Sequence, residues 1–248
     1  YTPDSTSGTY GSFAMSGAAW TYTLDNSDAD TTALDAGDAP TETFTVTVSD
    51  GTASDTMTVT ITVTGANDAP SAGSDQTASL TEDASTSTAS DTVGSSDADA
   101  SASLTYTPSN SGSGTYGSIA FSGATWTYTL DNSDSDTDAL AAGASASDSF
   151  TVTVSDGTAS DTMTVTVSIT GANDAPSITS TADTTAMEDS AYAYTTTASD
   201  VDTGDTVTLQ CTTVPSWMSC TSGALTGTPA NADVGSHSVV ITATDGTA

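Results

Sequence analysis

The sequence predicts an all-β fold, an elongated tandem array of antiparallel β-sandwich modules. Three observations carry this reading. Apolar residues alternate with Thr and Ser in short runs, the whole pattern returns at an interval of domain size, and no stretch has the 3.6-residue period of a helix.

Phe44, Val46 and Val48 alternate with hydroxyl residues, the turn DGTASD follows at 50–55, and Met57, Val59, Ile61 and Val63 alternate again. Period two puts the apolar side chains on one face of a strand. The β-branched Thr residues between them suit the outer face of a pleated sheet. Trp20, Tyr22 and Leu24 repeat the pattern, as do Trp126, Tyr128 and Leu130, each run preceded by a glycine-marked turn. One helical turn is expected at Ala33-Leu34 and again at Ala139-Leu140, ahead of Gly37 and Gly143. Roughly seven short strands in about a hundred residues is the content of a two-sheet sandwich, and a unit of that size can bury its own core.

Self-comparison sets the boundaries. Tyr10, Trp20, Phe44, Asp50, Met57 and Asn67 recur 106 positions later as Tyr116, Trp126, Phe150, Asp156, Met163 and Asn173. The hexapeptide GANDAP stands at 65–70 and at 171–176, where its proline stiffens the crossing to the next unit. A diverged third unit keeps the landmarks in order: Glu188-Asp189 for Glu82-Asp83, Asp200 and Asp202 for Asp97 and Asp99, and Asp245-Gly246 for Asp156-Gly157. Three modules are expected at 1–70, 71–176 and 177–248. Tyr1-Thr2-Pro3 aligns with Tyr106-Thr107-Pro108, so the first is expected to lack its opening strands and the third its final strand.

Composition narrows the function. The chain has 32 Asp and Glu, one His and no Lys or Arg, a formal net charge of −32, where an average domain of this length carries about 30 basic side chains. Nucleic-acid binding needs cations facing phosphates and is excluded. The arginine clamps and Schiff-base lysines of phosphoryl and carbonyl chemistry are missing, and nothing attracts the chain to anionic lipid headgroups. No apolar run reaches the length of a membrane span.

Only Glu42, Glu82 and Glu188 are glutamates; the aspartates gather in expected loops. Any single one, such as Asp28 or Asp38, reads as a turn or solvated residue. The recurring set of linker Asn-Asp, Asp-x-Asp and Asp-Gly reads differently. Short carboxylates mixed with amide and backbone oxygens are the hard ligands that calcium prefers.

Longer motifs add a resemblance. The first two units resemble VCBS repeats of very large bacterial surface adhesins, through WTYTLDNSD (126–134), FTVTVSDGTASDT (150–162) and ITGANDAP (169–176). The third resembles the bacterial cadherin-like, dystroglycan-type Ig module, through VPSWM (214–218), GALTGTPANADVGSHSVVITATDG (223–246) and the DVD at 200–202. The resemblance implies Ig-like/cadherin-like sandwiches with Ca2+ where one module meets the next. Carried over by position, the 1/2 joint would use Asn67, Asp68, Asp97, Asp99 and Asp156. The 2/3 joint would use Asn173, Asp174, Asp200, Asp202 and Asp245, with Glu82 from the second module. GANDAP lacks the further Asp and Asn of a full cadherin linker, and no Asp-Arg-Glu motif exists without arginine, so one or two ions per joint are expected.

His237 falls in phase with Val239 and Ile241 and is expected to face the core. Trp20, Trp126 and Trp217 are expected in the cores, with a sugar-stacking platform as the alternative. Cys211 and Cys220 bracket VPSWMS and are expected to form a local disulfide, as oxidising surroundings favour. The rows of Thr and Ser are compatible with O-glycosylation. The chain thus reads as a non-enzymatic extracellular segment of a bacterial surface adhesin or filament, rigidified by calcium, with neighbouring modules or further copies as partners. The alternatives are an array of carbohydrate-binding modules or an O-glycosylated fibril-forming surface protein. A hydrolase using paired carboxylates finds neither a pocket nor a partner base in the sequence.

Overall fold

Hydroxyl and apolar residues alternate most regularly in the middle of the chain, and there the sandwich is most complete. The computed structural model describes residues 1–247; Ala248, the last residue of the third unit, lies outside them. The first module contains β1 (Thr2–Pro3), β2 (Gly11–Ser16), β3 (Ala19–Leu24), β4 (Thr41–Ser49) and β5 (Ser54–Thr62), in sheets β1-β4-β5 and β2-β3. The second has the seven strands expected: β6 (Gln76–Thr81), β7 (Thr88–Thr92), β8 (Thr105–Pro108), β9 (Gly117–Ser122), β10 (Thr125–Leu130), β11 (Ser145–Ser155) and β12 (Ser160–Thr170). They form the sheets β6-β12-β11-β8 and β7-β10-β9. The third contains β13 (Ser177–Ile178), β14 (Tyr192–Thr195), β15 (Ala198–Ser199), β16 (Thr208–Thr213), β17 (Met218–Thr221), β18 (Ala224–Gly227) and β19 (Val240–Thr244), in the sheets β13-β15, β14-β18-β17 and β16-β19.

One pairing departs from the antiparallel expectation: β6 runs parallel to β12, Gln76 opposite Val165 and Thr81 opposite Thr170. The period-two pattern is the same for either direction, so alternation alone does not reveal it. The helical turn expected around Ala33-Leu34 is present in the first module as α1 (Ala29–Thr32), whose C-cap is Ala33, with Asp28 Oδ1 accepting from Asp30 N–H at 2.9 Å as its N-cap.

Inward-facing residues of both sheets fill the second module, with Trp126, Phe150, Val152, Val165 and Ile169 at most 1 % exposed. Outward, hydroxyls pair across the β11–β12 ladder, Thr151 opposite Thr164 and Thr153 opposite Thr162. Such cross-strand pairs add a few tenths of a kcal/mol each, about 0.2–1.

Two carboxylates sit inside the sandwiches and hold loops in place. Asp148 accepts from Thr115 N–H (2.7 Å), Tyr116 N–H (3.1 Å) and the Tyr128 hydroxyl (2.7 Å). Glu42 does the same work in the first module for Tyr10 N–H and the Tyr22 hydroxyl, both at 2.7 Å. A Cβ at Gly114 would lie 2.1 Å from the Asp148 carboxylate, so only glycine lets that loop approach.

The tryptophans do not share one environment. Trp126 is 1 % exposed, yet its counterpart Trp20 is 45 % exposed, and Met57 is 50 % exposed where Met163 is 2 %. The cause is coverage: β6 and β7 close the second core, and no described strand occupies their places over the first module. Trp217 is half-buried and packs edge-on to Tyr192.

In the third module a cleft of about 930 Å³ is lined by Tyr192, Tyr194, Trp217, Leu225 and Ile241. His237, expected to face the core, is exposed. Strand β19 begins only at Val240, so the alternation that would turn the imidazole inward does not reach it. The ring stands edge-on to Trp217, and Nε2 lies 2.7 Å from the Asp233 carbonyl. Cys211 and Cys220 are bonded through their sulfurs, their Cα atoms 6.3 Å apart.

Candidate metal centre at the module joints

The joint between the second and third modules starts where β12 ends. Gly171 lies so close to the 140–141 turn that a Cβ would be 2.2 Å from the Leu140 carbonyl, which brings the linker down onto the second module. Ala172 N–H then donates to Glu82 Oε2 at 3.0 Å, and Glu82 N–H donates to the Thr170 carbonyl at 2.9 Å. Asn173 Nδ2 donates to the Asp174 carbonyl at 2.7 Å and to Asp245 Oδ2 at 2.9 Å. Asp174 N–H donates to Asp202 Oδ2 at 3.0 Å, and Asp202 N–H to Asp200 Oδ1 at 3.0 Å. Thr203 N–H reaches back to the Ala139 carbonyl of the second module at 3.1 Å. The linker, the Asp-x-Asp, the Asp-Gly and Glu82 thus converge.

What remains over at this joint is oxygen. Glu82 is 2 % exposed and Asp202 4 %. Among the described residues, Glu82 Oε1, Asp202 Oδ1, Asp200 Oδ2 and Asn173 Oδ1 are buried with no hydrogen-bond partner. Burying a carboxylate oxygen without a donor costs several kcal/mol, on the order of 3–5 when a partner is missing. Carboxylate oxygens of Glu82, Asp138 and Asp174 lie within 4.8 Å of one another, and so do those of Asp200, Asp205 and Asp245.

The electrostatics are one-sided, since the chain has no Lys or Arg. Burial, with the charges of Asp174, Asp83 and Asp202, holds the Glu82 carboxyl above its usual range against the pull of the Ala172 hydrogen bond. Asp174 is raised by burial and then by Asp83, Asp202, Asp138 and Asp200. Asp205 is raised by burial and by Asp202, Asp200 and Asp245. Crowded hard oxygens with unanswered charge are the donor set of a divalent cation such as calcium, and the residues present fit one.

The joint between the first and second modules repeats the scheme. Asn67 Nδ2 donates to the Asp68 carbonyl (2.6 Å) and to Asp156 Oδ2 (3.0 Å), Asp68 N–H to Asp99 Oδ2 (3.0 Å) and Asp99 N–H to Asp97 Oδ1 (3.1 Å). Asp97 Oδ2 and Asp99 Oδ1 are buried without partners among the described residues. Asp156 spends its other oxygen on its own turn, accepting from Thr158 N–H and Ala159 N–H. Hydrogen bonds from Ala159, Asn67 and Thr158 hold its carboxyl below the usual range.

All eleven residues expected from the sequence therefore stand at the two joints. Two more were not expected. Asp138 joins Glu82 and Asp174, and Asp205 joins Asp200 and Asp245. At the first joint their places are taken by Thr32 and Ala102, so comparing one unit with the next, which reveals what recurs, passes over both.

Comparison with known proteins agrees with the fold. Residues 67–171 match the bacterial cadherin-like domain, and residues 175–248 match a putative Ig domain. No curated protein matches the chain. Among solved structures, PcdhgB3 EC1-4 is 18 % identical with a TM-score of 0.53, covering 90 % of this chain and 56 % of its own. Mouse Cadherin-23 EC22-24 is 16 % identical with a TM-score of 0.50, covering 96 % and 78 %. The endo-fucoidan hydrolase MfFcnA4 from glycoside hydrolase family 107 is 22 % identical over 99 % of this chain, which spans 36 % of that enzyme; its TM-score of 0.35 carries no argument. No helix among the described residues is long and apolar enough to cross a membrane. The chain is built of cadherin-like and Ig-like β-sandwich modules in tandem.

Proposed function

We propose that this chain is a non-enzymatic, extracellular structural segment of a bacterial surface adhesin or filament, whose module joints bind calcium and are stiffened by it. The observation that carries the proposal is Glu82, buried in the second module with one carboxylate oxygen unpartnered, facing carboxylates from the linker and from the module that follows. The VCBS-like motifs and the two family matches support it. Glu82, Asp138 and Asp174 would hold one ion at the 2/3 joint, and Asp200, Asp205 and Asp245 a second, with Asp202 between them; at the 1/2 joint Asn67, Asp68, Asp97, Asp99 and Asp156 would serve. Bound calcium supplies the counter-charge that the chain lacks. Ligands drawn from two modules and their linker remove hinge freedom only while the ion is held, and an ion that binds the folded joint stabilises it by mass action.

The carbohydrate-binding alternative needs an exposed aromatic row. Trp126 and Tyr128, at 1 % and 0 % exposed, supply none in the second module, whereas Trp20 is 45 % exposed and Trp217 half-buried, so the alternative keeps a surface only in the first and third.

Thermal unfolding and small-angle scattering, each with calcium and with chelator, test the proposal. Calcium is expected to raise the melting temperature and to narrow the distribution of end-to-end distances. Identical melting and scattering in both conditions would overturn it.

A further inference from the structure

The two joints share a plan but differ in their ligands. Aligning the repeat sequences pairs Thr32 with Asp138 and Ala102 with Asp205, and the backbone agrees: Ala100 N–H donates to the Ala33 carbonyl just as Thr203 N–H donates to that of Ala139. Each acidic group that completes a three-carboxylate cluster at the 2/3 joint is thus a neutral side chain at the 1/2 joint.

A second exchange runs the other way. The 1/2 joint has Asp35 where the second module has Ala141, and Ser101 where the third has Gly204. Ser101 N–H donates to Asp35 Oδ1 at 3.1 Å, and the Ser101 hydroxyl donates to Asp35 Oδ2. A direct hydrogen-bonded clamp between modules therefore stands at the joint with fewer carboxylates. Nothing equivalent can form between Ala141 and Gly204.

We propose that the joints take up divalent cations in a fixed order, the 2/3 joint first, because Asp138 and Asp205 complete its clusters while the 1/2 joint relies on the Asp35–Ser101 clamp. This rests on the calcium reading above and adds that the array stiffens segment by segment as the cation rises. The acidic cluster does not stand alone: Glu82 and Asp202, both more than nine-tenths buried, each aim an unpartnered oxygen into the 2/3 joint. Cation affinity in oxygen-ligand sites follows the number of charged ligands and the rigidity of the site.

Hydrogen exchange of the full chain, titrated with calcium chloride, reads the two linkers separately through the peptides that contain 65–72 and 171–178. Protection at 171–178 is expected at a calcium concentration lower by roughly tenfold or more than at 65–72, as two added carboxylate ligands imply. The double substitution Asp138→Thr with Asp205→Ala should raise the 171–178 midpoint toward that of 65–72. The reverse pair, Thr32→Asp with Ala102→Asp, should lower the 65–72 midpoint, which keeps the test decisive if the first variant folds poorly. Coinciding midpoints, a reversed order, or exchanged side chains that leave both midpoints in place would overturn the ordering while the calcium reading stands. No response at either linker would overturn both.

Discussion

Asn173 Nδ2 lies 2.9 Å from Asp245 Oδ2, a bond between a linker and the turn that follows β19, 72 residues away. Asn67 and Asp156 make the same bond at 3.0 Å. In each pair the aspartate gives its other oxygen to its own turn, to Thr247 N–H in one case and to Thr158 and Ala159 N–H in the other. One short side chain thus fixes a turn and anchors a linker to it.

Asn173→Ala removes the donor of two bonds and should loosen the 2/3 joint alone, at a cost of about 1 kcal/mol for each. Exchange in the peptide containing 171–178 should accelerate while 65–72 and the core of the second module stay unchanged. Equal acceleration at both linkers would show that Asn173 acts on the whole chain.

Asp148→Ala strands two backbone N–H groups and the Tyr128 hydroxyl inside the second module. Unmet buried donors cost about 1–3 kcal/mol each, so calorimetry should show that module losing about 3 kcal/mol or more. Asp148→Asn keeps one acceptor and the shape, and should cost less.

Alkali should find the same network. Burial, then the bond to Glu42 and its charge, push the Tyr22 phenol up to about 12; burial and Asp148 push Tyr128 up as well. The folded state favours the neutral phenol, so the stabilisation from Tyr22 is complete below about pH 10, the unfolded value, and is lost as the pH rises through about 12. Tyrosinate absorbance should show Tyr22 titrating late, and Tyr22→Phe should remove that component.

Acid should act on the joint in the opposite sense from its action on an ordinary paired carboxylate. Glu82, Asp174 and Asp205 are raised, so without cation they favour the protonated joint, and that stability is lost as the pH rises through the carboxylate range. Calcium must displace those protons. Calorimetry in two buffers of different ionisation enthalpy should detect proton release, and apparent affinity should fall as the pH is lowered. Affinity independent of pH would contradict the raised carboxyls.

Reduction of Cys211–Cys220 should act within the third module only. The bond spans nine positions, a loop whose closure contributes about 3 kcal/mol in the chain-entropy account. Proteolysis in reductant should open that module while the second stays resistant.

Joint residues were legible because they recur: each linker and each Asp-Gly keeps its place from unit to unit, and a ligand shared by two modules has to. Asp138 and Asp205 carry no such mark, and only the folded chain brings them to Glu82 and Asp200. Burial was legible where the sandwich is closed, as at Trp126, and misread where it is open. Trp20 has the same local sequence as Trp126 and differs in what covers it. His237 was misplaced because alternation was extended past the start of β19. Strand direction at β6 left no trace in the sequence at all.

That parallel pair has a mechanical consequence. The chain enters the second module through β6 and leaves it through β12, which lie side by side over six paired positions. Tension applied to the two ends pulls these strands in opposite directions along their length. Their hydrogen bonds are then loaded together, in shear, instead of one after another as in an unzipping hairpin. A pulled array would hold until a whole ladder gives way at once.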